Sequence, residues 1–532
     1  VADRDNVLFA VLANRLTQSG KYRVLVLEAG GSDMTPWIQI PIGYGKVFYD
    51  AKVNWKYITE PDPNLDDRPI YWPRGKVLGG SSSINAMVYV RGHPNDYAEW
   101  NTAAPGWGWS DVEPLFRRME DWDGPASTER GVGGPLSVHD VTHDVHPLTK
   151  LYLEAAAQAG IPTNPDYNGS EMEGASLYQI TTKGGYRASA ARSYLRPAQR
   201  RPNLELRTKA HATRILFNGT RASGVEYRHK GQIKTAHARA EVILSGGAIN
   251  SPQLLQLSGI GPGGVLQAHG IDVRLDAPQV GQNLQDHLGS DNLYVSRMAS
   301  LNQELRPLLG KLKVALKYAM NRKGPLSLSL NQGGGFVSVS PDTACPDLQL
   351  YFSPVSYTRA PVGVRPLMSP DPFPGLLIGF NPCKPTSTGH LQIRSPDPFV
   401  APELHPNYLS TEHDRAMMLA GTKLMRKIAE TPAMQSVIER ELLPGPEVVN
   451  DEAIAAYTRK TSWTVFHQCS TCRMGSAPET SVVDPRLRVR GTQGLRVADA
   501  SVFPSIPSGN TNAPAIMVGE KASDLILEDA LG

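Results

Sequence analysis

Glu28 closes the apolar run Val24-Leu25-Val26-Leu27. An acidic side chain at the end of such a strand is the group that holds the 2′- and 3′-hydroxyls of a nucleotide ribose in a βαβ unit. The phosphate half of that arrangement is missing. A GxGxxG turn should open the helix before the strand, yet residues 1–10 contain no glycine and the helical stretch runs through Val11-Leu12-Ala13-Asn14-Arg15-Leu16. Two other runs can bring backbone close to a flat or anionic ligand. Residues 73–85 include Gly75, Gly79, Gly80, Ser81, Ser82 and Ser83, and small residues leave N–H groups free to donate there. Ser245-Gly246-Gly247-Ala248 joins a buried strand to a helix ending near Ser258-Gly259-Ile260-Gly261, a strand–turn–helix crossing of the kind cofactors contact. Taken singly, each run also reads as a serine-rich turn or as tight helix–sheet packing. Cys469 and Cys472 form a C-x-x-C with His467 two residues upstream, the composition of a zinc or redox site. Cys345 and Cys383 are distant and isolated, so no second ligand pair exists, and the reading is packing cysteines and no metal.

These groups need elements to hold them. Periodicity and turn residues predict strands over 21–28, 204–208, 212–217, 241–244, 346–353, 389–394 and 495–497, and a hairpin pairing 225–228 with 235–238 around Lys230-Gly231. Helices are predicted over 111–119, 147–160, 188–195, 308–320, 411–430 and 514–527. Strand and helix alternate at both ends while the middle third is richer in strand and loop. That pattern is an α/β chain (α+β overall) in which a nucleotide domain is assembled from separated segments around an inserted domain.

Composition narrows the function. The chain has 532 residues, a net charge of +3 and no Lys/Arg run, which argues against nucleic acid. No apolar stretch is long enough to span a bilayer, and no leader pattern stands at residues 1–10. Four cysteines in 532 residues suit a reducing compartment, and a cytoplasmic location is expected. Asn168-Gly169-Ser170 and Asn218-Gly219-Thr220 are then turns, not glycosylation sites. Leu308, Leu312, Leu316 and Met320 share one helical face, with Lys311, Lys313 and Lys317 on others. Such a helix either lies on a membrane surface, here the periphery of the inner membrane, or turns its apolar face to a core; the core is the favoured reading.

Together the glycine runs resemble the two signature motifs of the glucose–methanol–choline (GMC) flavin oxidoreductases. The first matches from Arg74 to Asn85; the second matches as Gly247-Ala248, Ser251-Pro252, Leu254-Leu255 and Ser258-Gly259-Ile260-Gly261. Further matches are Gly281 to His287, His467 ahead of Cys472-Arg473-Met474-Gly475, Val497 to Ser501, and Gly509 to Pro514. The likeness runs from Val11 nearly to the end, in the family's order, and is greatest to the bacterial alcohol and choline dehydrogenase-like branch.

The resemblance implies a Rossmann-like FAD-binding domain of residues 1–150, 190–300 and 460–532. It implies a substrate-binding domain of 151–189 and 301–459, with an antiparallel sheet and flanking helices. Glu28 would hold the adenosine ribose; Arg74, Val77, Gly79, Gly80, Asn85 and Val88 would line the pyrophosphate and flavin; Ala212 would touch the adenine side. Asp499, Ala500 and Pro514 would meet the ribityl–pyrophosphate region and the flavin. Members with covalent FAD carry histidine where this chain has Ile84, so non-covalent FAD is expected. The implied reaction is oxidation of a primary or secondary alcohol with hydride transfer to flavin N5. His467 would be the base. Asn512 would position the alcohol, though it is also well placed to cap a helix. Choline oxidisers place a glutamate where this chain has Gln332, which favours a neutral alcohol. The acceptor would be dioxygen or a quinone, and the oligomeric state is open. The competing readings are a hydroxynitrile-type lyase and a non-catalytic or FAD-deficient member. A fatty-acid photodecarboxylase using Cys383 and Arg394 is a minor third. Residues 1–10 read as an altered start; if they are genuine, weak retention of FAD is expected, unless a glycine-type turn forms there.

Overall fold

The computed structural model describes residues 2–3, 7–340, 343–357 and 369–531. Two sheets organise it. The first is a five-stranded parallel sheet in the spatial order Leu204–Arg207, Val24–Glu28, Ala2–Asp3, Val242–Leu244, Leu495–Val497. Its strands come from both ends and the middle of the chain, as alternating signals in the sequence require. Helix Leu8–Thr17 packs against this sheet and against helix Asn512–Asp529. Gly519 is where those two helices touch: a Cβ there would lie 3.1 Å from the Cβ of Val11. Arg15 ties the pair through a bidentate contact to buried Glu520. Helix Gly247–Leu257 is buried at every position, so its sequence shows no amphipathic period. Beside the parallel sheet, Ala210–Asn218, Arg221–His229 and Gln232–His237 form an antiparallel meander. Its second turn uses Lys230 and Gly231, both with positive φ, the geometry a two-residue hairpin demands.

The second sheet has seven antiparallel strands. Along its main path lie Ile438–Leu443, Leu288–Ser296, Gly375–Pro382, Leu348–Ser353, Gly333–Val337 and Gly174–Leu177, with Trp463–Thr464 pairing Leu288–Ser296 from the side. Helix Glu412–Ala429 covers it; Gly421 lets the helix sit on Phe380, whose ring would be 2.1 Å from an added Cβ. A domain boundary at residue 300 places Leu288–Ser296 with the cofactor segments, whereas its hydrogen bonds run to Gly375–Pro382 and Ile438–Leu443 in the antiparallel sheet. The stretch 188–195 begins as a coil and closes as a π-helical turn at Ala191–Leu195.

Helix Leu308–Asn321 departs from the favoured sequence reading. Only Val314 and Tyr318 are buried. Tyr318 donates to the Gly185 carbonyl at 2.8 Å. Leu308 is 73% exposed, Leu309 81%, Leu312 58%, Leu316 62% and Met320 77%. The face that holds the helix to the protein is the Val314/Tyr318 pair, and the leucine face looks outward. Among the described residues no helix is long and apolar enough to cross a membrane.

Candidate active site

A cavity enclosing about 1350 Å³ of space unfilled by protein, part of it continuous with solvent, lies between the two sheets. Its walls come from Ser81 and residues 84–88, from Asp291, Tyr351 and Leu377 of the antiparallel sheet, from Trp463 and residues 465–467, and from residues 510–512.

His467 reaches this cavity from a loop pinned on both sides. Its main-chain N–H donates to Oδ1 of Asp286 at 2.7 Å. Oδ2 of the same carboxylate accepts from the Thr464 hydroxyl at 2.5 Å, the Gln468 amide at 2.8 Å and the Tyr408 hydroxyl. Arg74 holds the other flank, donating to the Phe466 carbonyl at 3.1 Å and to Oε1 of Gln468 at 2.9 Å. Phe466 has a left-handed backbone, φ +70°, a conformation that persists where surrounding bonds over-determine it. Burial pushes the Asp286 carboxyl up to about 6 against the four hydrogen bonds that favour its charged form.

The ring of His467 belongs to a one-way chain of hydrogen bonds. Nε2 of His287 faces the Cys383 carbonyl at 2.9 Å, and a carbonyl only accepts, so that nitrogen carries the proton. Burial holds the His287 pKa at about 4, so the ring is neutral and its Nδ1 is bare. Nδ1 of His467 lies 2.9 Å from it and must donate. Nε2 of His467 is therefore left with a lone pair, and Nδ2 of Asn510 points at it from 3.0 Å. Gln349 fixes the Asn510 amide by donating to its Oδ1 at 2.9 Å. Burial first, then the neighbouring His287 ring and the Arg74 guanidinium, hold the His467 pKa well below the usual histidine range. The tautomers follow from partners and are assigned on that basis. The result is a neutral imidazole whose unprotonated Nε2 accepts from Asn510 at the cavity wall; a substrate hydroxyl that takes the place of that amide can give its proton to it.

Asn512 also lines the cavity, but the amide against His467 is Asn510. Thr511 is the N-cap residue of helix Asn512–Asp529 and makes no side-chain cap bond, so the positive end of that helix, with buried Pro514 in its first turn, borders the cavity. Asp286, His287, Gln349 and Asn510 did not stand out in the sequence. Three of them lie inside or beside quoted motifs, whereas Gln349 is an ordinary strand residue with no signal at all.

The residues expected to hold FAD fit it at the flavin and ribose ends. Gly79 and Gly80 have φ of +85° and +53°, and a Cβ at Gly79 would lie 2.6 Å from Oγ of Ser83 and 2.9 Å from Cβ of Ala191. The turn they make leads into Ile84, Asn85 and Val88, all on the cavity wall. Oδ1 of Asn85 accepts from Met87 N–H and from Arg187, which fixes its amide. Glu28 is fully buried at the end of its strand, its carboxylate accepting from the Gly30 N–H. Val77 lies beside it, since Gly31 bridges Val77 and a Cβ at Gly30 would collide with Lys76 O at 1.9 Å. Ala212 is buried in the meander. Ala500 lines the cavity. Asp499 serves as a tie: it accepts from Ser251 Oγ at 2.5 Å, Gly247 N–H at 3.0 Å and Ser501 N–H at 2.8 Å, joining two motifs.

Val7, at the N-cap of helix Leu8–Thr17, lines the cavity, and Leu8 and Phe9 follow, fully buried. Residues 4–6, where a glycine-type turn was sought, lie outside the described residues.

Other sequence expectations are also located. Gln332 turns away from the cavity, accepting from His146 N–H at 2.7 Å and the Thr149 hydroxyl at 3.1 Å. It is not part of the cavity wall, and the carboxylate on the wall is that of Asp291. Cys383 and Arg394 are not brought together: Cys383 is buried in an apolar cluster, whereas Arg394 pairs with Glu60 and Glu403 at the surface. Cys469 and Cys472 are buried free thiols within the core around the parallel sheet. Among the described residues no group of three or more His, Cys, Asp or Glu side chains could hold a metal.

Comparison with known proteins supplies the remaining findings. Two family models, both described as GMC oxidoreductase, match residues 18–289 and 385–519. An alcohol dehydrogenase [acceptor] of Pseudomonas putida is 41% identical, over 97% of this chain and 93% of the relative. The mitochondrial choline dehydrogenase of Homo sapiens is 42% identical, over 97% of this chain and 87% of its own. Among solved structures, pyridoxine 4-oxidase from Mesorbium loti superposes with a TM-score of 0.87 at 28% identity, covering 98% of both chains. An arginine variant of formate oxidase from Aspergillus oryzae RIB40 gives 0.90 at 26% identity, covering 99% of this chain and 98% of the other.

Proposed function

This chain belongs to the GMC oxidoreductase family and is an FAD-dependent oxidoreductase of alcohol-type substrates; from that premise we propose that it oxidises a primary or secondary alcohol to the carbonyl, with Nε2 of His467 as the base. The observation that carries the reading is the one-way hydrogen-bond chain that leaves this nitrogen unprotonated at the cavity. Bound FAD supplies the hydride acceptor, its N5. The alcohol hydroxyl donates to His467 Nε2 as its carbon gives up hydride, so the proton and the electron pair leave in separate directions. The Asn510 amide hydrogen-bonds the alcohol oxygen and fixes the carbon's orientation, with Asn512 on the same wall. The positive end of helix Asn512–Asp529 borders the cavity and would favour negative charge on a flavin held there.

In this reading Glu28 holds the adenosine ribose, and Arg74 braces the His467 loop. Val77, Gly79, Gly80, Asn85 and Val88 follow the pyrophosphate and flavin, and Ala212 flanks the adenine. Ala500 and Pro514 meet the ribityl side, and Asp499 holds the motifs together. Ile84 presents only an alkyl chain to the cavity, which supports non-covalent FAD. Aromatic Tyr44, Phe48 and Phe466 with Leu377 favour an apolar alcohol body, while Asp291 keeps cationic alcohols in the test set.

The experiment is anaerobic reduction of the FAD-loaded enzyme by a panel of aliphatic, aromatic and quaternary-ammonium alcohols, followed by reoxidation with dioxygen or a soluble quinone. Bleaching of the flavin absorbance is expected. A flavin that stays oxidised through the whole panel, while a cyanohydrin is cleaved, would assign the lyase reading instead.

A further inference from the structure

Away from the cavity, helix Leu308–Asn321 shows an apolar face that no described residue covers. Leu308, Leu312, Leu316 and Met320 recur at intervals of four and so run along one side, with Leu309 beside them; all are 58% exposed or more. Basic residues border this stripe. Residues 306–324 contain Arg306, Lys311, Lys313, Lys317, Arg322 and Lys323 and no Asp or Glu. That segment carries +6, and since the whole chain carries +3, the remainder carries +3 − 6 = −3. Positive charge is thus concentrated on the element whose apolar face is exposed among the described residues. A leucine stripe edged by lysines is complementary to a surface with anionic headgroups over an apolar interior.

The neighbouring surface has the same character. Helix Leu308–Asn321 and the short helix Pro36–Gln39 are both fastened to one hairpin, Tyr318 donating to Gly185 O at 2.8 Å and Arg187 to Ile38 O at 3.0 Å. Beyond that hairpin Met34 and Trp37 are 65% and 48% exposed, and tryptophan favours the headgroup level of a bilayer. The turn Pro325–Ser327, which follows the helix, packs on Pro41–Gly43. The next residues, Tyr44 and Phe48, reach the cavity wall.

We propose that helix Leu308–Asn321 docks the enzyme on an anionic lipid bilayer, its leucine face at the acyl boundary and its lysines at the headgroups. Docked this way, the enzyme keeps its cavity close to the interface, where a lipophilic alcohol or quinone resides. That consequence rests on the alcohol-oxidation reading; the docking itself does not, and its test reads binding and not turnover.

The full-length FAD-loaded enzyme is sedimented with phosphatidylcholine vesicles that contain phosphatidylglycerol, and with vesicles of phosphatidylcholine alone. Binding to the anionic vesicles is expected, weakened by high salt, and at least about tenfold weaker without phosphatidylglycerol. Leu308→Gln/Leu312→Gln/Leu316→Gln should lower binding by more than about tenfold at an unchanged melting temperature, because those side chains make little contact with the protein. Lys311→Glu/Lys317→Glu should abolish the preference for phosphatidylglycerol. Failure of the wild type to sediment overturns the proposal, as does binding that neither variant alters. A wild-type dimer that becomes a monomer in the triple-glutamine variant, measured by light scattering, would assign the face to a second copy and overturn it equally.

Discussion

Replacing His287 by leucine should slow flavin reduction without touching substrate. His287 is fully buried and lies between the Cys383 carbonyl and His467, at 2.9 Å from each. Leucine fills much of its volume but offers no acceptor. The Nδ1–H of His467 then loses its partner, and a buried donor without an acceptor costs ~1–3 kcal/mol. The ring escapes this cost by moving its proton to Nε2, where it can no longer act as base. At tenfold per ~1.4 kcal/mol, the reductive rate falls roughly 5- to 150-fold. Because His287 acts through His467, the loss cannot exceed that of His467→Ala, for which removal of a general base implies ~10²–10⁴-fold. His287→Gln carries both an acceptor and a donor and should recover most of the rate. The assay is anaerobic stopped-flow bleaching, with FAD content and melting temperature checked for each variant. A leucine variant that keeps its FAD and is reduced at the wild-type rate refutes the hydrogen-bond chain; so does a glutamine variant as slow as leucine. The pH profile gives a second reading. Burial holds His467 well below the ordinary histidine pKa of 6.5, so the wild-type rate should stay level as pH falls through 6.5 and decline only in more acid solution.

Three further outcomes are expected. Asp286 is raised to about 6 and His287 lowered to about 4, each chiefly by burial. The stability Asp286 contributes is present below its unfolded pKa and lost as pH rises to about 6; that of His287 is present above 6.5 and lost as pH falls toward 4, each worth about 3 kcal/mol. The two oppose each other in one window, so Asp286→Asn should make the melting temperature fall more steeply on acidification from pH 6.5 to 4 than in the wild type; parallel curves would count against the assignment. Gly79→Ala forces a Cβ within 2.9 Å of Ala191 Cβ at a φ of +85°. It should cost roughly 1–3 kcal/mol in urea unfolding and reduce FAD content. Without glycines in residues 1–10, the enzyme should shed FAD on gel filtration at low concentration, read as recovered flavin fluorescence; stoichiometric retention would show the phosphate grip to be intact.

Sequence alone was most informative where a pattern has a single cause. The hairpin around Lys230-Gly231, the buried strand Val242–Leu244 and the helix Glu412–Ala429 form where turn chemistry, apolar runs and amphipathic period put them. Two inner strands of the antiparallel sheet were silent for physical reasons. Gly375–Pro382 is buried at all eight positions, so nothing alternates. Gly333–Val337 opens with three glycines because Gly334 has Leu350 O where a Cβ would stand, at 2.1 Å, and such a strand reads as a loop. At the site, the motif around His467 named the base, but its neighbours are set by chain segments nearly two hundred residues away, such as His287. Asn510 and Asn512 sit two residues apart in one motif, and only three-dimensional placement separates the amide that meets His467 from the one that does not.

The strand order of the parallel sheet bears on how the protein is made. Leu495–Val497 completes a sheet whose other strands come from residues 2–244, and His467 lies only 28 residues ahead of it. A nascent chain on the ribosome therefore carries an unclosed apolar edge at Val242–Leu244 through the synthesis of roughly half its length. Throughout that interval it can bind neither cofactor nor substrate productively. Shielding of that edge until Leu495–Val497 is made, and termination before that strand, should govern how much active enzyme a cell obtains.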